Sequence, residues 1–226
     1  MAYSAHGLTC QFEGGSGFAK VWRYYTTDSL ATVVASGYFN SKVTEMTVGD
    51  IIELVIVDAV ASASRAAFTA KFELYVASNN GTTVTTALAD ATVNVTAATV
   101  TLGDAHNRRI VTLNRAGGIA VTLPAATGSG FKTRLIVGTT FTSSATVKVT
   151  GDDTMVGSAL ILQDGGDTAV HFEANGTDDT ITMDGTTTGG LAGAYIDLVD
   201  IAADLWFVRY VSAATGTEAD PFSATV

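Results

Sequence analysis

Arg109-Ile-Val-Thr-Leu-Asn-Arg-Ala-Gly-Gly-Ile-Ala-Val-Thr-Leu123 is the stretch on which the fold turns. It holds two short runs of Val, Ile and Leu alternating with Thr or Ala, separated by Asn114-Arg-Ala-Gly-Gly118. Alternation with a period of two marks a strand that buries one face, and Asn and Gly favour tight turns. Arg109–Leu113 therefore reads as a strand, 114–118 as a turn and Ile119–Leu123 as the partner strand. The same pattern continues through Lys132-Thr-Arg-Leu-Ile-Val137, Ala145-Thr-Val-Lys-Val-Thr150, Ala169-Val-His-Phe-Glu173, Thr180-Ile-Thr-Met183, Ala194-Tyr-Ile-Asp-Leu-Val199 and Leu205-Trp-Phe-Val-Arg-Tyr-Val211. Short strands punctuated about every 8–12 residues predict a β-sandwich or barrel-like domain over residues 91–214. Gly151-Asp-Asp-Thr-Met155 and Thr177-Asp-Asp-Thr-Ile181 echo one another, as two similar turns entering strands would.

Working outward, residues 19–90 read as a small α+β module. Lys20-Val-Trp-Arg-Tyr-Tyr25 alternates like a strand, and Ile51-Ile-Glu-Leu-Val-Ile-Val57 is apolar enough for a central one. Between them, Thr26-Thr-Asp28 resembles a helix N-cap before Ser29–Ala35, closed by Gly37; Asp28 is equally a turn former. Phe68–Ala77 alternates, Ser78-Asn-Asn-Gly81 turns, and Thr82–Thr86 continues as a hairpin partner. Residues 1–18, with Gly14-Gly-Ser-Gly17, read as a flexible arm, and 215–226 as a tail. The fold class is mainly β: the α+β module followed by the sandwich or barrel.

Composition narrows the function. Hydrophobic residues make up 47% of the 226-residue chain and charged ones only 15%, so the polar surface is carried by Thr, Ser, Asn, Gly and Asp. The net charge of −10 is shared, with 8 acidic and 5 basic residues in 1–90 and 14 and 7 in 91–226. That balance argues against nucleic acid as a partner, because phosphate binding needs clustered Lys and Arg. The longest apolar run, Ile51 to Val60, contains Glu53 and Asp58 and falls short of the ~20 residues of a membrane span. The mean hydropathy of +0.31 then reflects buried strands and subunit contacts. Cys10 is the single cysteine, so no intrachain disulfide forms, which fits synthesis in the cytosol. The first residues show no basic region followed by an apolar stretch, so no signal peptide is expected.

No reactive constellation stands out. Asp152, Asp153, Asp164, Asp167, Asp178, Asp179 and Asp184 lie in Gly-rich turns, where Asp serves either as a turn former or as a calcium ligand; none has EF-hand spacing. His6, His106 and His171 are far apart in sequence. There is no Gly-x-Ser-x-Gly elbow and no His-Glu-x-x-His motif, and the six Glu residues never adjoin. Trp22, Tyr24, Tyr25, Trp206 and Tyr210 are the aromatics that could stack on sugars, although Trp22/Tyr24 and Trp206/Tyr210 have the spacing of one strand face, which favours packing.

Several segments resemble a group of tailed-phage structural proteins. They are Val21–Asn40, Val48-Gly-Asp-Ile-Ile52, Val121-Thr-Leu-Pro-Ala-Ala-Thr-Gly-Ser-Gly130, Gly185-Thr-Thr-Thr-Gly-Gly190 and Asp220-Pro-Phe-Ser-Ala224. The group is that of capsid decoration, or cement, proteins. The resemblance implies no cofactor and no catalytic residues, and the residues themselves lead us to expect no metal site and no enzyme activity. It implies a virion protein, made in the host cytoplasm and carried on the outer capsid surface, where it stabilises contacts between major capsid subunits. A homo-oligomer is expected, a trimer rather than a dimer, with no nucleic acid or membrane contact. The arm and the tail are expected to reach neighbours, with Phe12, Phe18, Pro221 and Phe222 as anchors. The alternative is a tail-fibre or appendage module that recognises host glycans; the lack of a long repetitive shaft argues against it.

Overall fold

The computed structural model describes residues 7–13, 18–58, 68–89, 91–163 and 168–224. The Gly14–Gly17 run, His6, Asp164 and Asp167 lie outside the described residues. The protein is mainly β: the described residues are 53% strand and 6% helical turn, in three sheets. It divides into two compact units, Met1–Ala91 and Thr92–Val226. No helix among the described residues is long and apolar enough to cross a membrane.

The first unit is built on one five-stranded sheet. Its strands are β1 (Leu8–Phe12), β2 (Val21–Thr26), β3 (Ile51–Val57), β4 (Phe68–Asn79) and β5 (Val84–Leu88), side by side in chain order. β2 and β3 are parallel, Val21 opposite Ile51, and every other pair is antiparallel. A parallel pair requires a crossover, and residues 27–50 supply it. That segment carries the single helical turn α1 (Leu30–Val33) and a 3-10 turn at Asn40–Lys42. Val33, Phe39 and Met46 from the crossover pack with Trp22, Tyr24, Ile52, Leu54, Leu74 and Val76 in one core.

Two local expectations change here. The helix cap is Ser29, whose side chain accepts from the Thr32 N–H, and not Asp28. Asp28 instead accepts a hydrogen bond from the Tyr38 hydroxyl at 2.7 Å. Leu8–Phe12, read as part of an arm, is the edge strand of the sheet and pairs with β2. Thr9, Gln11 and Cys10 show no clean apolar alternation, so the backbone ladder, rather than side-chain pattern, holds this strand.

Among the described residues the second unit holds twelve strands in two sheets. β6 (Val93–Val95), β8 (Ile110–Leu113), β10 (Lys132–Val137), β12 (Thr154–Gln163), β13 (Ala169–Asp178), β15 (Tyr195–Ala202) and β16 (Leu205–Ala214) form the larger, in the order β13-β12-β16-β15-β10-β8-β6. β7 (Thr99–Thr101), β9 (Ala120–Thr122), β11 (Ala145–Lys148), β14 (Thr180–Met183) and β17 (Phe222–Ser223) form the smaller, in the order β17-β14-β11-β9-β7. The inward faces of both sheets contribute to a single apolar core that includes Leu113, Val121, Leu135, Val147, Trp206 and Tyr210.

The expected hairpin between Arg109–Leu113 and Ile119–Leu123 is not formed. β8 pairs in parallel with β6 and β10, whereas β9 pairs in parallel with β7 and β11. The chain thus passes from the larger sheet to the smaller and back three times, laying down three parallel rungs. Val95, Leu113 and Val137 stack in the larger sheet; Val100, Val121 and Val147 stack in the smaller. Asn114–Gly118 is the corner between sheets, and the corner of the next rung lies against it. Gly118 has φ +80, and a Cβ there would overlap the Ser144 carbonyl oxygen. Thr142 N–H donates to Ala116 O across the same corners at 2.7 Å. After the third rung the larger sheet continues through the antiparallel pairs β10/β15, β15/β16 and β12/β13 and the parallel pair β12/β16.

Candidate functional site

Three buried or half-buried carboxylates organise the loops. Asp50 is fully buried and accepts from Lys20 N–H, the Trp22 indole N–H, Thr47 N–H and the Thr47 hydroxyl, at 2.7–3.1 Å. Asp200 is 2% exposed and accepts from the N–H groups of Thr127, Gly128 and Ser129 and from the Ser129 hydroxyl. Asp184 closes its own turn, accepting from Thr186 and Thr188 N–H and from the Thr186 and Thr187 hydroxyls. Burial by itself would raise each carboxyl pKa, but the converging donors outweigh it and hold all three below the ordinary carboxylate range. These are loop-organising groups whose lone pairs are already engaged. Asp153 and Asp178 each accept one further loop N–H, from Ala126 and Asn175 respectively. Among the described residues no group of three or more His, Cys, Asp or Glu is arranged to hold a metal ion.

The expected sugar-stacking aromatics are mostly core residues. Trp22, Tyr24, Trp206 and Tyr210 are buried, and Tyr25 is the exposed one. The expected anchors divide. Phe12 (63% exposed) and Phe18 (72%) project from the first unit. Pro221 and Phe222, by contrast, are buried within the chain's own second unit. Phe222 pairs with Ile181 in the small sheet and joins its core, because the Asp220 carboxylate turns the chain by accepting from Phe222 N–H. This corrects the role given to the tail: residues 215–224 are docked on the fold through bonds such as Thr182 N–H to Pro221 O.

The outward face of the larger sheet carries a surface of mixed cationic and apolar character. A groove of about 540 Å³ runs over β8, β10, β15 and β16. Strand register sets out its lining in two rows. One row is Ile110, Arg134, Asp197 and Arg209; the next carries Lys132, Val199 and Phe207, with Arg108 beside Lys132. Arg134 forms a two-pronged ion pair with Asp197 at 2.6 and 2.8 Å and lies 4.8 Å from the Tyr195 ring centroid. The hydrogen bonds to Asp197 raise the guanidinium pKa and keep it charged. Arg109 Nη1 reaches the Ala105 carbonyl at 3.4 Å. Arg108, Lys132 and Arg209 are exposed and make no ion pair among the described residues.

The charge of this groove runs against that of the chain. It gathers five of the second unit's seven basic residues around a single carboxylate. The same face presents Phe207 (39% exposed), Leu160 (38%), Leu162 (42%) and, at the end of β15, Ile201 (48%). Exposed apolar side chains interspersed with arginine and an aromatic ring are the composition of interface cores. Asp197 is already committed to Arg134, so the groove offers cations, hydrogen-bond donors and apolar surface, a combination suited to holding an anionic partner. Sequence reading missed it because its residues are scattered from 108 to 209. The available signal was Lys132, Arg134 and Arg209 at the polar positions of otherwise apolar strands.

Comparison with protein-family models, curated proteins and solved structures finds no match to this chain.

Proposed function

We propose that this chain is a tailed-phage capsid decoration protein that adheres to the outside of the head shell and clamps neighbouring major capsid subunits. The observation that carries the reading is the exposed cationic and apolar face of the larger sheet, on a chain otherwise strongly acidic. The segments that resemble tailed-phage structural proteins support the same reading. Adhesion needs a stiff scaffold, and the short corners, the stacked rungs and the carboxylate-pinned loops supply one. In this reading the first unit is a small α+β module and the second a β-sandwich entered through three parallel rungs. The protein acts as a homotrimer, without catalysis or cofactor, so that modest contacts repeated over a shell add up by multivalency. It is synthesised in the host cytoplasm and resides on the virion.

The test is direct. The purified chain is mixed with undecorated heads, sedimented, and located on intact particles by antibody labelling in the electron microscope. Saturable co-sedimentation and label spread over the head are expected. Label confined to the tail, together with glycan-array binding and no affinity for heads, would replace this reading with that of a glycan-recognising appendage module.

A further inference from the structure

We propose that the groove on the larger sheet docks an extended acidic segment of a protein partner, with two carboxylates flanking one apolar side chain. This rests on the decoration reading only for the partner's identity: where that reading holds, the acidic segment belongs to the shell surface.

Strand register sets the spacing of the charges. Lys132, with Arg108 beside it, and Arg209 stand at opposite corners, two strands apart and two residues along. With strand spacings of ~4.8 Å and a rise of ~3.4 Å per residue, the two cationic poles are roughly 12 Å apart at their Cβ atoms. Val199 and Asp197, on the strand between them, form the floor that separates the two poles; Phe207 adds apolar surface beside Arg209, and the Arg134–Asp197 pair adds no net charge. An extended partner with the order acid, any residue, apolar, any residue, acid places its carboxylates ~13 Å apart on one side and its apolar side chain between them. Both ends then find unpaired cations, and the arginines present donor forks matched to carboxylates. A nucleic acid fits less well. Its phosphates continue beyond the groove, over a surface whose net charge is negative. The apolar floor and the neighbouring Leu160 and Leu162 favour a polypeptide.

The probe is the acetylated, amidated peptide Glu-Ala-Leu-Ala-Glu, titrated into the full chain and followed by NMR. A Gln-Ala-Leu-Ala-Gln peptide, an oligonucleotide and a heparin fragment serve as comparisons. The acidic peptide is expected to shift Val199, Phe207 and Arg209 signals at low salt and to lose at least fivefold in affinity between 20 and 200 mM salt. Lys132→Gln and Arg209→Gln are each expected to weaken it about threefold with melting temperature unchanged, while Lys148→Gln on the smaller sheet leaves it unaltered. Equal binding of the Gln peptide overturns the proposal. So does binding of the oligonucleotide or heparin without the acidic peptide. Acidic-peptide binding by a chain that ignores undecorated heads supports the groove and removes the decoration reading. Head attachment that survives both Gln substitutions, without peptide binding, removes the groove and leaves the decoration reading standing.

Discussion

At the scale of single residues, the chain uses carboxylates as fasteners. Asp50 ties the start of β2 to the turn before β3 by collecting four donors, one of them the buried indole of Trp22. Removing it strands those donors away from water, which costs about 1–3 kcal/mol for each group left unmet. Asp50→Ala is therefore expected to lower stability by about 3 kcal/mol, measured by denaturant unfolding at pH 7. The pH dependence has a definite sign. Asp50, Asp184 and Asp200 all have folded-state pKa values depressed below the unfolded value of roughly 3.9. The unfolded chain thus takes up protons first as pH falls. The stability these groups contribute is fully present above about pH 5 and drains away below about pH 4. A stability profile that is flat down to pH 2 would contradict it. Asp50 and Asp200 are not distinguishable in sequence from surface acids, because their burial depends on which loops come to meet them.

At the scale of elements, strands were legible and their partners were not. β3, β10 and β16 fall where their alternation or apolar runs indicated, since side-chain period depends on the chain alone. The turn at 114–118 was equally plain, yet it is a corner between sheets instead of a hairpin. Nothing in Ile110–Leu113 or Ala120–Thr122 separates the two outcomes, because both expose the same face and the same backbone groups. The rungs repeat at unequal intervals, Val93 to Val111 and then to Leu135, so no fixed period announces them. Glycine at the corner carries the constraint. Gly118→Ala forces a left-handed backbone on a residue with a Cβ and drives that atom into the neighbouring rung. It is expected to cost about 2 kcal/mol or more, measured by thermal and denaturant unfolding of the full chain.

At the scale of the whole molecule, two cores stand behind two units. Trp22, Tyr24 and Leu54 belong to one and Leu113, Trp206 and Tyr210 to the other. A unit with its own core is expected to fold alone. The fragment Thr92–Val226 should give a β-type circular dichroism spectrum and a cooperative thermal transition without the first unit. A non-cooperative melt would show that its core depends on the rest of the chain.

What the sequence by itself determined is the strand-rich class, the positions of most strands and turns, and the overall acidity. These follow from local rules: side-chain alternation, turn chemistry and a sum of charges. What only the tertiary structure decided is which strand lies beside which, and that five cations scattered between Arg108 and Arg209 meet in one groove. Backbone hydrogen-bonding groups are the same at every residue, so pairing is chosen by the packing of the entire core. A net charge is a total over the surface, whereas recognition depends on where on that surface each charge is held.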